Sequence, residues 1–288
     1  MIVKNRLGLP EALVNAVSLS PHNKEGCYSA TTLLKGTREI LLEKRHWQDI
    51  EIDVSDNIWA LFGTAVHSVL ENQKTSEFKE ELFSAEVSKS KVTGRADSYC
   101  LENEILTDYK TASTWKVRFA DFSDWKKQGL IYAWLMRENG LTVKKCRFIA
   151  LLKDHSKTQA KREQDYPQSP VYVYEFDVTE KELEETEKLI LEKIASIEKN
   201  IGIQDDDLPE CTAEERWATQ DKFAVMKEGR KTAVRVFDTK DEAEEKLAEL
   251  DKKHYIEYRK GESKKCADYC YASAFCNQWQ KEKEETNG

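Results

Sequence analysis

Gly94-Arg95-Ala96-Asp97-Ser98-Tyr99-Cys100-Leu101-Glu102-Asn103-Glu104-Ile105-Leu106-Thr107-Asp108-Tyr109-Lys110 reads as two strands, over 96–101 and 104–110, with Glu102-Asn103 turning between them. A polar pair containing Asn, set between runs rich in Tyr, Ile, Leu and Thr, is a hairpin signal. With a two-residue loop, Asp97 falls directly opposite Asp108, and the two Cβ atoms come within about 5 Å on one face. A three-residue loop would shift this register. Lys110 lies two positions beyond Asp108 and shares its face. Two carboxylates this close repel each other in a folded interior unless a cation joins them.

Working upstream, a strand is expected over 82–93. A helix is expected over 59–73, with Leu61, Val66, Val69 and Leu70 on its apolar side, and another over 29–46. Residues 1–27 read as a loosely held arm ending in the polar stretch Ser20-Pro21-His22-Asn23-Lys24-Glu25-Gly26. Downstream, 124–139 reads as a helix closed by the C-cap pair Asn139-Gly140. Strands follow over 145–153 and 171–178, separated by a long polar loop over 154–170. Thr179 opens a long amphipathic helix to residue 200, with Glu182 three positions on as a capping box. The turn-rich acidic stretch 202–209 marks a boundary. Beyond it a small module is expected: a hairpin around Lys227-Glu228-Gly229-Arg230, a helix over 239–250, a strand over 255–258 and a cysteine-rich tail whose last dozen residues fray. The division is then an arm over 1–27, a core over 28–204 and a module over 205–288.

The 288 residues are 40% hydrophobic, enough to build a core, and 34% charged, which suits wet helices. No apolar run is long enough to span a bilayer, and the start lacks the apolar segment of a signal peptide, so a cytoplasmic location is expected. A net charge of −8 argues against a protein that coats nucleic acid without specificity. It leaves room for a metal site, where carboxylates concentrate and bound ions reverse the local sign.

His67, in Gly63-Thr64-Ala65-Val66-His67, and Glu71, one helical turn later, add to the acidic pair. Mg²⁺ or Mn²⁺ takes oxygen ligands in octahedral geometry and keeps several waters; an imidazole ligand suits Mn²⁺ better. A lysine beside such an ion can orient or deprotonate an attacking water and stabilise charge on a phosphate, while the ion lowers the pKa of its water. Taken singly, each element has an ordinary reading. Asp-x-Lys is common on strand surfaces, Gly-x-x-Asp is often a turn, and a lone helical histidine or glutamate is usually packed or solvated. Order and spacing in combination carry the inference.

The series Gly63…His67…Glu71, Gly94-x-x-Asp97, Asp108-Tyr109-Lys110 and Gln128-x-x-x-Tyr132 resembles the PD-(D/E)XK nuclease superfamily, in its RecB-like branch. That branch includes nuclease domains of bacterial recombination helicases, CRISPR-associated adaptation nucleases and phage recombination exonucleases. The resemblance spans roughly residues 28–200. The stretch Asn5-Arg6-Leu7-Gly8-Leu9-Pro10 and the tail look like phage and prophage members. The resemblance implies an α/β fold with a restriction-endonuclease-like core, a mixed central sheet flanked by helices, and a small C-terminal α+β module. It implies that His67, Asp97, Asp108 and the Tyr109 carbonyl hold Mg²⁺ or Mn²⁺, that Lys110 is the catalytic lysine, and that Glu71 supports the site. Gln128 and Tyr132, one turn apart on one helix face, would lie near the DNA. The implied activity is that of a metal-dependent DNA exonuclease serving phage recombination or DNA end processing, beside a single-strand annealing protein. The alternatives are an endonuclease or a noncatalytic nucleic-acid-binding member of the same fold. An oligomer that threads its substrate is compatible with such an activity.

Basic residues cluster locally despite the acidic total. Lys116, Arg118, Lys126 and Lys127 are interleaved with Trp115, Phe119, Phe122 and Trp125, a mixture that can stack bases and hold phosphates. The ordinary reading of those aromatics is core. Lys153, His155, Lys157, Lys161 and Arg162 crowd the polar loop and are the better phosphate contacts.

Seven cysteines remain. Cys266-x3-Cys270-x5-Cys276 has ligand spacing, and disulfides are not expected in a cytosolic chain. Cys211, which opens the C-terminal module after Pro209, is favoured as fourth ligand, with Cys27 the alternative. Four thiolates suit a [4Fe-4S] cluster or structural Zn²⁺. The resemblance favours the cluster, although in that branch the distant cysteine precedes the first nuclease motif and 30–46 contains none. Cys100 and Cys146 read as core.

Overall fold

The computed structural model describes residues 1–17, 25–73 and 77–287, which fall into two units, Met1–Gly202 and Ile203–Gly288. The first runs β1 Ile2–Lys4, α1 Glu11–Val17, β2 Cys27–Ser29, α2 Ala30–Leu33, α3 Thr37–Arg45, β3 Glu51–Asp53, α4 Ile58–Glu71, β4 Phe78–Val87, β5 Ser90–Cys100, β6 Ile105–Ala112, α5 Thr114–Phe119, α6 Ser123–Glu138, β7 Lys145–Leu152, α7 Lys157–Ala160, β8 Val171–Asp177 and α8 Glu180–Asn200. The second runs β9 Lys222–Lys227, β10 Arg235–Phe237, α9 Lys240–Ala248, β11 His254–Arg259, α10 Lys264–Asp268 and α11 Asn277–Asn287. No described helix is long and apolar enough to cross a membrane.

The first unit is built on a six-stranded mixed sheet, in the order β2-β5-β6-β7-β8 with β4 also on β5, flanked by helices as expected. β5 organises it. It pairs antiparallel with β4 from Val87↔Ser90 to Phe78↔Tyr99. On the other edge, its start pairs parallel with β2, Cys27↔Lys91 to Ser29↔Thr93. Its end pairs antiparallel with β6 over Ser98↔Thr107, Tyr99↔Leu106 and Cys100↔Ile105. β6 then leaves β5 and continues beside β7, in parallel register through Ala112↔Leu152. The two strands of the hairpin therefore part just after Ser98 and Thr107.

α6 covers this sheet, touching β4, β5, β6 and β7 and packing on α8. From Trp125 to Met136 it is buried apart from Lys126 and Lys127. Trp125 stacks 5.7 Å from Phe148, and Phe122 4.6 Å from Tyr174. The helix lies so near β5 that a Cβ on Gly94 would come within 2.6 Å of Leu135 Cδ1 and 2.8 Å of Tyr132 Cδ1, so this position admits only glycine without repacking.

Several local expectations are corrected. The strand expected over 82–93 is the end of β4, a tip at Ser88 and Lys89, and the start of β5. Ser88 is left-handed, with φ 58, an uncommon conformation for a residue other than glycine. The tip is clasped from α8: the Glu198 carboxylate accepts from Ser88 Oγ at 2.8 Å, Lys89 N at 3.1 Å and Ser90 Oγ at 2.7 Å. Those hydrogen bonds hold its pKa below the usual glutamate value. The helix expected over 29–46 is two helices, because Ser29 caps α2 through Thr32 N–H and Gly36, in an extended conformation, starts α3. The N-terminal segment is no loose arm where described: β1 pairs parallel with β3, and Asp53 accepts from Arg6 N at 3.0 Å. Residues 20–24 of the expected polar stretch lie outside the described residues. The capping box at Thr179 and Glu182 is present.

In the second unit β9 is central, antiparallel to β10 and β11. The end that was expected to fray forms α11 instead. Gln280 Nε2 donates to Ser273 O at 3.2 Å, and Arg216 pairs with Glu282.

Candidate active site

The β5–β6 turn spans Leu101 to Glu104 rather than two residues, and Glu104 takes φ 53. The register is unchanged, because the missing pair would have been Leu101 with Glu104. Continuing the ladder from Ser98↔Thr107 sets Asp97 opposite Asp108 at the point where the strands part. Asp97 bridges the opening: its Oδ2 accepts the Tyr109 N–H at 2.7 Å, and its Oδ1 lies 3.2 Å from His67 Nδ1 on α4. Tyr109 is tied to the site through its amide, whereas its carbonyl was the expected contributor.

Asp108 is buried. Lys110 Nζ lies 2.7 Å from its Oδ2, outside good hydrogen-bond angles, so Oδ2 stays buried without a hydrogen-bond partner. Nζ donates instead to Gln128 Oε1 at 2.9 Å, and Gln128 Nε2 donates to Tyr132 OH at 2.9 Å. Phe148 closes the pocket beneath, 5.7 Å from Nζ. Burial pushes the Asp108 pKa up to about 6, with the Asp97 charge adding to the rise and Lys110 opposing it. The hydrogen bond to Asp97 raises that of His67.

The fold thus brings His67, Asp97, Asp108, Lys110, Gln128 and Tyr132 into one connected group from α4, β5, β6 and α6. Glu71 stands at the exposed end of α4. Among the described residues, no three His, Cys, Asp or Glu side chains converge as a group that could hold a metal ion. His67 is turned onto Asp97 and Asp108 faces Lys110, so the donor atoms are engaged with one another. The donor set still fits a hard divalent cation, and the buried Oδ2 of Asp108, which Lys110 meets by charge without a well-aligned hydrogen bond, is the oxygen such an ion would take.

Of the expected DNA contacts, Lys116 pairs with Asp124 at 2.6 Å, and Arg118 with Asp165 at 3.0 Å and Glu163 at 3.5 Å. Lys157, Lys161 and Arg162 are exposed on and after α7. Sequence reasoning missed Asp154, which anchors α5 by accepting from Ser113 Oγ at 2.6 Å and Thr114 N at 2.7 Å. Its signal was an acid at the end of the strand that runs beside β6.

In the second unit, burial pushes the Cys266 thiol up to about 12, and the neighbouring Cys276 and Cys211 add to the shift. Gln278 clamps Cys211 from α11, accepting its N–H at 2.9 Å and donating to its carbonyl at 3.0 Å. Cys27 belongs to the first unit, with Sγ 3.8 Å from Thr93 Oγ1. Cys146 is buried, as expected, whereas Cys100 is only half-buried.

No family model and no curated protein matches the chain. Among solved structures it is similar to SSO0001 (20% identity, TM-score 0.46, 64% of this chain and 83% of that one). It is also similar to an alkaline exonuclease from Laribacter hongkongensis (12%, 0.40, 61% and 90%) and to a phage related exonuclease from Haemophilus somnus 129PT (9%, 0.30, 58% and 75%).

Proposed function

We propose that the Met1–Gly202 unit is a divalent-metal-dependent DNA nuclease that works as an exonuclease on DNA ends. One observation carries the reading: Lys110 is held between a buried acid and a glutamine fixed by Tyr132, with Asp97 and His67 beside it. Burying the Asp108 carboxylate, with the half-buried Lys110 amine and Asp97 carboxylate against it, is costly, and the arrangement is hard to account for as a device for stability. His67, Asp97, Asp108 and the Tyr109 carbonyl would hold Mg²⁺ or Mn²⁺; when bound, the ion polarises the phosphate and acidifies its water. Asp108 and Gln128 aim the Lys110 amine, which sets a positive charge beside the phosphate and orients the attacking water. Tyr132 keeps the Gln128 amide from turning away.

The test uses end-labelled linear duplex, closed circular duplex and single-stranded DNA with Mg²⁺ or Mn²⁺. Loss of the linear form with the circle spared is expected. Lys110→Ala should lower cleavage by roughly a thousandfold or more while melting at the wild-type temperature; full activity in that variant refutes the site. An exonuclease of this kind would expose single strands for an annealing protein.

We also propose that Cys211, Cys266, Cys270 and Cys276 hold a [4Fe-4S] cluster that staples the second unit, supported by the mutual influence of three of these thiols. Brown protein that loses its colour in Cys211→Ser but keeps it in Cys27→Ser is the expected result. Colourless protein with stoichiometric zinc rejects the cluster in favour of Zn²⁺.

A further inference from the structure

Four aromatic residues follow the catalytic strand, and they divide into two pairs. Phe122 and Trp125 are 7% and 6% exposed and belong to the core. Trp115 and Phe119, on α5, are 54% and 73% exposed, stacked on each other with centroids 5.6 Å apart. The Arg118 guanidinium lies 4.7 Å from the Trp115 ring centre. α5 is held firmly: Asp154 binds its first residues, and Arg118 ties it to Glu163 and Asp165. A third ring joins from α4. Trp59 is exposed and lies under Lys153 Nζ at 4.2 Å, while the Lys153 N–H donates to Ala112 O at 3.0 Å. Both aromatic groups are therefore attached to the end of β6, immediately beyond Lys110.

We infer that Trp115 and Phe119, with Trp59 beyond them, form a stacking platform for unpaired bases of a DNA strand entering or leaving the Lys110 site. The inference rests on the nuclease reading and names its substrate form. Large exposed rings beside a site are otherwise unfavourable in a soluble unit. Bases inside a duplex already cover each other's faces, so a platform of rings selects unpaired nucleotides. Arg118 is neutralised by two carboxylates, which leaves ring stacking, rather than phosphate attraction, as the dominant contact. A single strand or a splayed duplex end is then the form that binds.

The experiment measures binding in EDTA, where no cleavage occurs, using full-length protein and three fluorescent probes: a short oligothymidylate, a duplex of equal length and an abasic strand. Trp115→Ala with Phe119→Ala should weaken oligothymidylate binding by about tenfold or more. Duplex and abasic-strand binding should be unchanged. Trp115→Tyr with Phe119→Tyr should retain affinity, which separates loss of rings from loss of fold. Equal binding by wild type and the alanine variant overturns the platform. So does an equal loss on the abasic strand, or a wild-type self-association that the alanine variant abolishes. A wild type that binds the oligothymidylate but cleaves nothing would sink the nuclease reading and spare the platform. Cleavage by wild type with unaltered strand binding in the alanine variant would do the reverse.

Discussion

α6 and α4 each deliver side chains to the Lys110 pocket, yet they are held in opposite ways. α6 carries Gln128 and Tyr132 on a face embedded in the sheet and α8, so these groups sit where the core puts them. α4 carries His67 and has no buried residue at all; Trp59, Phe62 and Val69 point outward. Its main purchase on the sheet is β6, where a Cβ on Gly63 would lie 3.4 Å from Thr111 Oγ1. The difference separates two tasks. The amine is aimed by a rigid helix, whereas the imidazole stands on an element with little burial of its own, the kind that opens first.

The largest effect should come from cutting into α6. Leu135→Ala, at a fully buried position, should cost about 2–5 kcal/mol, read as a lower midpoint in denaturant; a loss under 1 kcal/mol would mean that α6 is not the scaffold. Asp108 probes the floor between the two helices, where His67, Asp97 and Lys110 face it. Its folded-state pKa of about 6 exceeds the ordinary 3.8, so the folded state holds this proton over a range where the unfolded chain has released it. The stability it lends is complete below pH 3.8 and is lost as pH rises through about 6. Melting curves of Asp108→Asn and wild type in EDTA should therefore diverge with rising pH, the asparagine variant gaining relative stability. A pH-independent gap would remove burial as the cause. Glu198→Ala should cost about 1 kcal/mol by freeing the β4–β5 tip, seen as faster amide exchange at Lys89. Phe62→Ala on α4 should change stability by less than about 0.5 kcal/mol; a loss comparable to Leu135→Ala would erase the contrast between the helices.

The Asp97–Asp108 hairpin was legible because alternation fixes register: a loop of either two or four residues leaves Asp97 facing Asp108. The Ser88 tip was not, because it has neither Gly nor Pro and depends on a carboxylate far along the chain. The break at Gly36 was missed for a different reason: its extended conformation splits an apolar pattern that runs on continuously. Trp115 and Trp125 looked alike in sequence, both aromatic beside lysine, and only the packing of α6 on β7, which sets Trp125 on Phe148, decides that one is covered. The engagement of His67 with Asp97, and of Asp108 with Lys110, was equally invisible, since spacing gives proximity but not which donor meets which.

The Glu198 clasp has a consequence for biosynthesis. It joins residues separated by 108 to 110 positions, so the β4–β5 tip is made long before its latch. At 5–20 residues per second that interval is roughly 5–20 s. Throughout it the nascent hairpin must hold a left-handed serine without help, and the ribosome has to release α8 before this corner of the sheet can lock.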